Sequence, residues 1–260
     1  MRTSRVLPER LLSLRLKLLP LVLVAIVPGF QPLVHTQKRS MNEIHAGMAM
    51  PMDDPADAGR SVKLLADKRE SEFNHHLAGF FVLLAGVLLL AEGLVRERWR
   101  LFRLVWPVCF LLGGLFLLIW SDTELWPFGP QSWYYGLTNH REVLQHKTFS
   151  VLLLALGAIE IQRARGVLKA AWASWAFPVL AVIGSSMLFF HDHRAGMHGP
   201  NPMELMHRIQ SEHFSYSIAG FGIGLSKGLA ETRFAWKPFF EQLFPALLMV
   251  LGALLMVYVE

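Results

Sequence analysis

Six blocks of apolar residues, each long enough to cross a hydrocarbon core of about 30 Å, constrain this chain more than any other feature. They run from about His76 to Val95, Phe102 to Trp120, Gln145 to Gln162, Trp172 to Phe190, Phe214 to Ala230 and Phe239 to Val259. In lipid every backbone polar group must be satisfied within the segment, so blocks of this length and spacing predict helices. The expected fold is all-α, a polytopic membrane bundle of six spans. Hydrophobic residues make up 53% of the chain, which sets it apart from ordinary soluble domains.

Basic residues set the orientation. Arg96, Arg98, Arg100 and Arg103 follow the first block, Arg163, Arg165 and Lys169 the third, and Lys227, Arg233 and Lys237 the fifth. By the positive-inside rule these three links face the cytoplasm. Residues 37–75, segments 121–147 and 191–213, and the carboxyl end then lie outside. Trp126, Trp133, Tyr134 and Tyr135 suit an outer aromatic belt. A net charge of +5 distributed in this way is a topology signal, and nucleic acid is not an expected partner.

At the amino end, Arg2, Arg5, Arg10, Arg15 and Lys17 precede the apolar stretch Leu18 to Phe30. This has the form of a secretory signal, but no small-x-small cleavage site follows, so 1–36 is read as a signal peptide or an uncleaved signal anchor. Residues 37–74 form a periplasmic arm and surface helix, and 75–260 the six-helix domain. Segment 121–140 reads as a loop from Pro127, Gly129, Pro130 and Gly136. Asn139 and Glu142 resemble a capping box that starts the third helix near His140. Gly113-Gly114, Gly184-Ser185-Ser186 and Gly220, Gly222 and Gly224 mark close helix contacts. Cys109, the single cysteine, is read as a buried small hydrophobe.

All eleven histidines fall on the outer side, a bias to which the longer outer segments contribute. His75-His76, His146, His191-Asp192-His193 and His213 sit at the mouths of four helices, close enough to converge. Methionine joins them in an arm with His45, Met48, Met50 and Met52, and in a loop with Met197, His198, Met203, Met206 and His207. On the fifth helix Met206, Gln210, His213 and Ser217 share a face, and Met203 and His207 a neighbouring one. Imidazole with thioether is a soft ligand set that suits copper, Cu(I) above all, whereas zinc takes thioether poorly. Each cluster also has a plainer reading: interfacial histidines, and chance methionines in a polar arm.

Three stretches carry a family resemblance: Phe73-Asn74-His75-His76-Leu77-Ala78-Gly79, Glu142-Val143-Leu144-Gln145-His146-Lys147 and Phe190-His191-Asp192-His193, with Glu212-His213 beside them. From about residue 73 to 231 the chain resembles the membrane domain of CopD/PcoD-type copper-resistance proteins. It departs from them in having no copper-binding sandwich domain before the bundle and a methionine-rich insert from Arg194 to His207. The resemblance implies copper handling.

The expectation is a non-enzymatic inner-membrane protein, its metal site facing the periplasm, for copper resistance, uptake or sequestration. Its arm and loop would pass copper to His76, His146, His191, His193 and His213. The expected partners are lipid, copper ions and a periplasmic copper carrier. The alternative is a membrane b-type cytochrome, with haem held by pairs such as His76 with His146 or His191 with His213. A copper-dependent oxidase, or its accessory subunit, needs a substrate pocket that no sequence motif marks.

Overall fold

The computed structural model describes residues 55–95, 99–190, 202–233 and 235–259. Contacts divide the chain after Val62. Of the first unit only 55–62, the opening turns of a helix, are described; the signal segment and the arm with His45, Met48, Met50 and Met52 lie outside the described residues.

Seven α-helices make up the described structure: α1 (Pro55–Val95), α2 (Val105–Ile119), α3 (Trp133–Asn139), α4 (Arg141–Ala164), α5 (Ala173–Leu188), α6 (Pro202–Glu231) and α7 (Lys237–Met256). A 3-10 turn, Arg100–Leu104, leads into α2. Four helical stretches are long and apolar enough to be membrane spans: Leu65–Gly93, Arg100–Ile119, Arg141–Ala164 and Lys237–Met256. α5 is apolar but only 16 residues long. α6 interleaves its apolar residues with serine and glycine and opens on a polar third.

The segment 121–140 is more ordered than its turn residues suggest. It holds the short helix α3, capped by Ser132 Oγ, which accepts from the Tyr135 N–H at 3.2 Å. The Asn139–Glu142 capping box does not form. Instead Asn139 Nδ2 donates to Tyr135 O at 3.0 Å, closing α3, and α4 starts after His140 with no side-chain cap bond. An asparagine between two helices can serve either end; here the backbone carbonyls of α3 take it.

Helices adjacent in the chain pack side by side. α2 lies on α4, α4 on α5, α5 on α6 and α6 on α7. α1 closes the ring: Gly113 of α2 abuts Phe81, and Gly79 of α1 faces Gly252 of α7. Without a hydrophobic force between helices in lipid, these approaches depend on small residues. Gly114 meets Leu154, Gly220 meets Ser185 and Gly224 lies 3.0 Å from Pro178 O, counted from where a Cβ would stand. At Gly252 an added Cβ collides with the Leu83 backbone and comes within 2.7 Å of Gly79 O. Gly252→Ala is therefore expected to cost about 1–3 kcal/mol from overpacking, measured as a fall in unfolding temperature in detergent.

One end of the ring carries the arginine-rich links. There Arg163 pairs with Glu160 at 2.7 Å and Glu231 at 3.0 Å, and Lys227 with Glu231 at 2.6 Å. The middle is closed by Trp106, Phe110, Phe177 and Phe244, packed edge to face with centroids 5.2–6.4 Å apart. Cys109 is buried among them. The opposite end bears the histidines.

Candidate functional site

A cavity of about 210 Å³ lies inside the ring, with walls from α1, α2, α4, α5, α6 and α7. His75, His146 and His213 reach it from three different helices. Helical periodicity decides which residues do so. On α1, His75, Ala78 and Val82 share the cavity face. His76 lies one step round, with Gly79, Leu83 and Gly86, on the face that packs against α7. Its Nε2 donates to Tyr258 O at 2.9 Å, and it is not on the lining. On α4, His146, Phe149, Leu153 and Leu156 face inward, and on α6, His213, Tyr216, Gly220 and Ile223.

Each cavity histidine has its Nδ1 engaged by an acceptor. His75 Nδ1 is 2.8 Å from Ser71 O, and His213 Nδ1 2.8 Å from Ile209 O. A carbonyl only accepts, so Nδ1 carries the proton; in the neutral ring Nε2 then carries the lone pair, the form in which imidazole binds a metal. The two rings stand 5.8 Å apart, centroid to centroid, with planes at 89°. Tyr258, which follows α7, stacks on His75 at 3.9 Å.

His146 is held differently. Its Nδ1 lies 2.8 Å from Asp122 Oδ1. The same carboxylate accepts from Lys147 Nζ at 2.7 Å and Ser121 Oγ at 2.5 Å. Lys147 also donates to Leu117 O at 3.1 Å, and Asn74 Nδ2 to Ser121 O at 2.9 Å. Lys147 occupies the helix face that carries Ser150, Leu154 and Gly157 against α2, so the packing of α2 on α4 buries it. Burial alone pushes the Asp122 carboxyl up. The hydrogen bond and charge of His146 and those of Lys147 more than offset this and hold it below the ordinary carboxylate range.

A depressed pKa in the folded state means that Asp122 stabilises the fold above its unfolded value of about 3.9. The contribution is lost as pH falls through the lower folded value. Between about pH 5 and pH 2 the wild type is expected to lose more thermal stability than Asp122→Asn; equal losses would contradict this assignment.

Among the described residues, the other sequence candidates are not gathered at the cavity. Met203 and His207 are exposed on the first turns of α6, and Met206 is partly buried but off the cavity wall. His191, His193, Met197 and His198 lie outside the described residues. Among the described residues no three His, Cys, Asp or Glu side chains are placed to hold a metal ion together. Asp122, Lys147, Asn74 and Tyr258 were missed in the sequence. The signal available for the first two was an acid just beyond one span and a lysine next to a mouth histidine on another.

Comparison with protein families, curated proteins and solved structures finds no match. The functional reading rests on the chain's own residues.

Proposed function

We propose that this chain is a copper-handling protein of the bacterial inner membrane, holding Cu(I) between His75 and His213 at the periplasmic mouth of a six-span bundle. The 5.8 Å separation of the two rings carries the reading. Metal–imidazole bonds of about 2 Å put the centroids of two rings sharing an ion in line roughly 6 Å apart. Cu(I) accepts two-coordinate binding, and so needs no third side chain. The methionine- and histidine-rich arm and loop are the soft-ligand segments from which the pair would be loaded. Within this reading α5 and α6 also cross the bilayer. The packed glycines and the Ser217–Ser185 hydrogen bond of 2.8 Å let them pass it with fewer apolar residues. The protein binds and hands on the ion without chemical conversion.

Haem held by the same pair is the competing reading, and cavity size weighs against it. A dry cavity of about 150 Å³ holds benzene; 210 Å³ falls well short of a tetrapyrrole.

Titration of the purified chain with Cu(I) against a competing chelator tests the proposal. The expected result is one ion bound with submicromolar affinity. Because neutral imidazole is the ligand, affinity is expected to fall as pH drops through about 6.5. Binding weaker than micromolar, or a Soret band in the purified protein, overturns it.

A further inference from the structure

The cavity beneath the histidines has a composition of its own. One end is polar, with His146, Asn74, Tyr216 and Ser185; the walls running away from it are leucine, isoleucine and phenylalanine. No Lys, Arg, Asp or Glu is on the lining. The nearest charges, Asp122 and Lys147, neutralise one another 2.7 Å apart behind His146. Any cation that a phosphate or carboxylate headgroup could meet there is a histidine. A plain acyl chain would leave the polar end unused. The volume, 210 Å³ against the about 150 Å³ that admits benzene, suits a substituted six-membered ring. Phe110, Phe149 and Phe177 supply aromatic walls for such a ring.

We infer that the cavity binds the headgroup of a lipid-soluble hydroquinone, with the isoprenoid tail extending beyond it. The ring oxygens lie at the histidine end. His146, its Nδ1 fixed by Asp122, lies on the wall beside the ring oxygens. Asn74 shares this wall. Its Nδ2 is committed to Ser121 O, and its Oδ1 is buried with no donor. A hydroxyl-bearing headgroup brings the kind of donor that this end of the cavity lacks.

The test uses the full chain in nanodiscs of quinone-free phosphatidylcholine. A decyl-tailed hydroquinone, kept reduced, is titrated against tryptophan fluorescence, with decanol, which carries the tail and a single hydroxyl, as the control. Trp106 reports on the wall, since its ring packs 6.0 Å from Phe110 and 6.4 Å from Phe177. Saturable binding at least tenfold tighter than that of decanol is expected. Ala181→Phe, which fills the cavity from α5, is expected to weaken it at least tenfold, and His146→Leu to do so while leaving decanol unaffected. Should Ala181→Phe lose its native elution profile, Leu152→Phe fills the same space from α4. Hydroquinone binding no tighter than that of decanol, or unchanged in a well-folded cavity-filling variant, overturns the inference. Hydroquinone binding without Cu(I) binding sinks the copper reading alone; the reverse sinks this one alone.

Discussion

Replacing His213 by Ala is expected to weaken Cu(I) binding on the order of 100-fold or more, since outer partners of metal ligands alone are worth 10–100-fold. The same loss is expected for His75→Ala. These are the two rings that stand 5.8 Å apart, each with Nδ1 tied to a carbonyl of its own helix. His76→Ala supplies the contrast. Its ring is turned to α7 and bonded to Tyr258 O, so affinity should change by less than about threefold, well below the 10–100-fold given to outer partners. Chelator competition at pH 7.5 reads all three variants. If His76→Ala proves the damaging one, the pair has been assigned to the wrong neighbour. Met203→Ala and His207→Ala, exposed and away from the cavity, are expected to slow loading without changing the equilibrium.

That neighbour problem shows where sequence reasoning stops. Hydropathy and the arginine links placed the helices and brought His75, His76, His146 and His213 to one end. They could not separate His75 from His76, because both sit at a helix mouth where either face can be wet. The separation lies in the glycines: Gly79 and Gly86 put His76 on the α7 face, leaving Ala78 and Val82 beneath His75. The α3 turn was not legible because Pro127, Gly129 and Gly136 signal a loop whether or not the seven residues from Trp133 to Asn139 coil. Asp122 escaped notice for a different reason. An acid just past a span is ordinarily solvated, and only the packing of α2 on α4 buries it beside Lys147 and His146. The cavity, too, follows from six helices closing a ring, which no local pattern encodes.

Loss of the Asp122 carboxylate should be the most damaging single change for stability. Its side chain is 4% exposed and Lys147's 7%, so neither charge has water to fall back on. Removing one partner of a buried pair costs about 3–5 kcal/mol, because the survivor keeps its desolvation penalty without its counter-ion. In Asp122→Ala that survivor is the Lys147 ammonium, left with Leu117 O, Ser121 Oγ and the Trp133 ring 5.3 Å below it. Lys147→Met is a different case. Asp122 then retains Ser121 and His146, and protonation of His146 supplies a replacement cation. The two single variants should therefore be unequal, with Lys147→Met costing less than half as much, and less still at pH 6 than at pH 8. Replacing both, as Asp122→Leu with Lys147→Met, removes two desolvation penalties at once and should recover part of the loss. Unfolding of the four proteins in detergent at both pH values measures this. Equal losses from the two single variants, independent of pH, would mean that His146 does not share the carboxylate and that the cavity's polar end is not organised by Asp122.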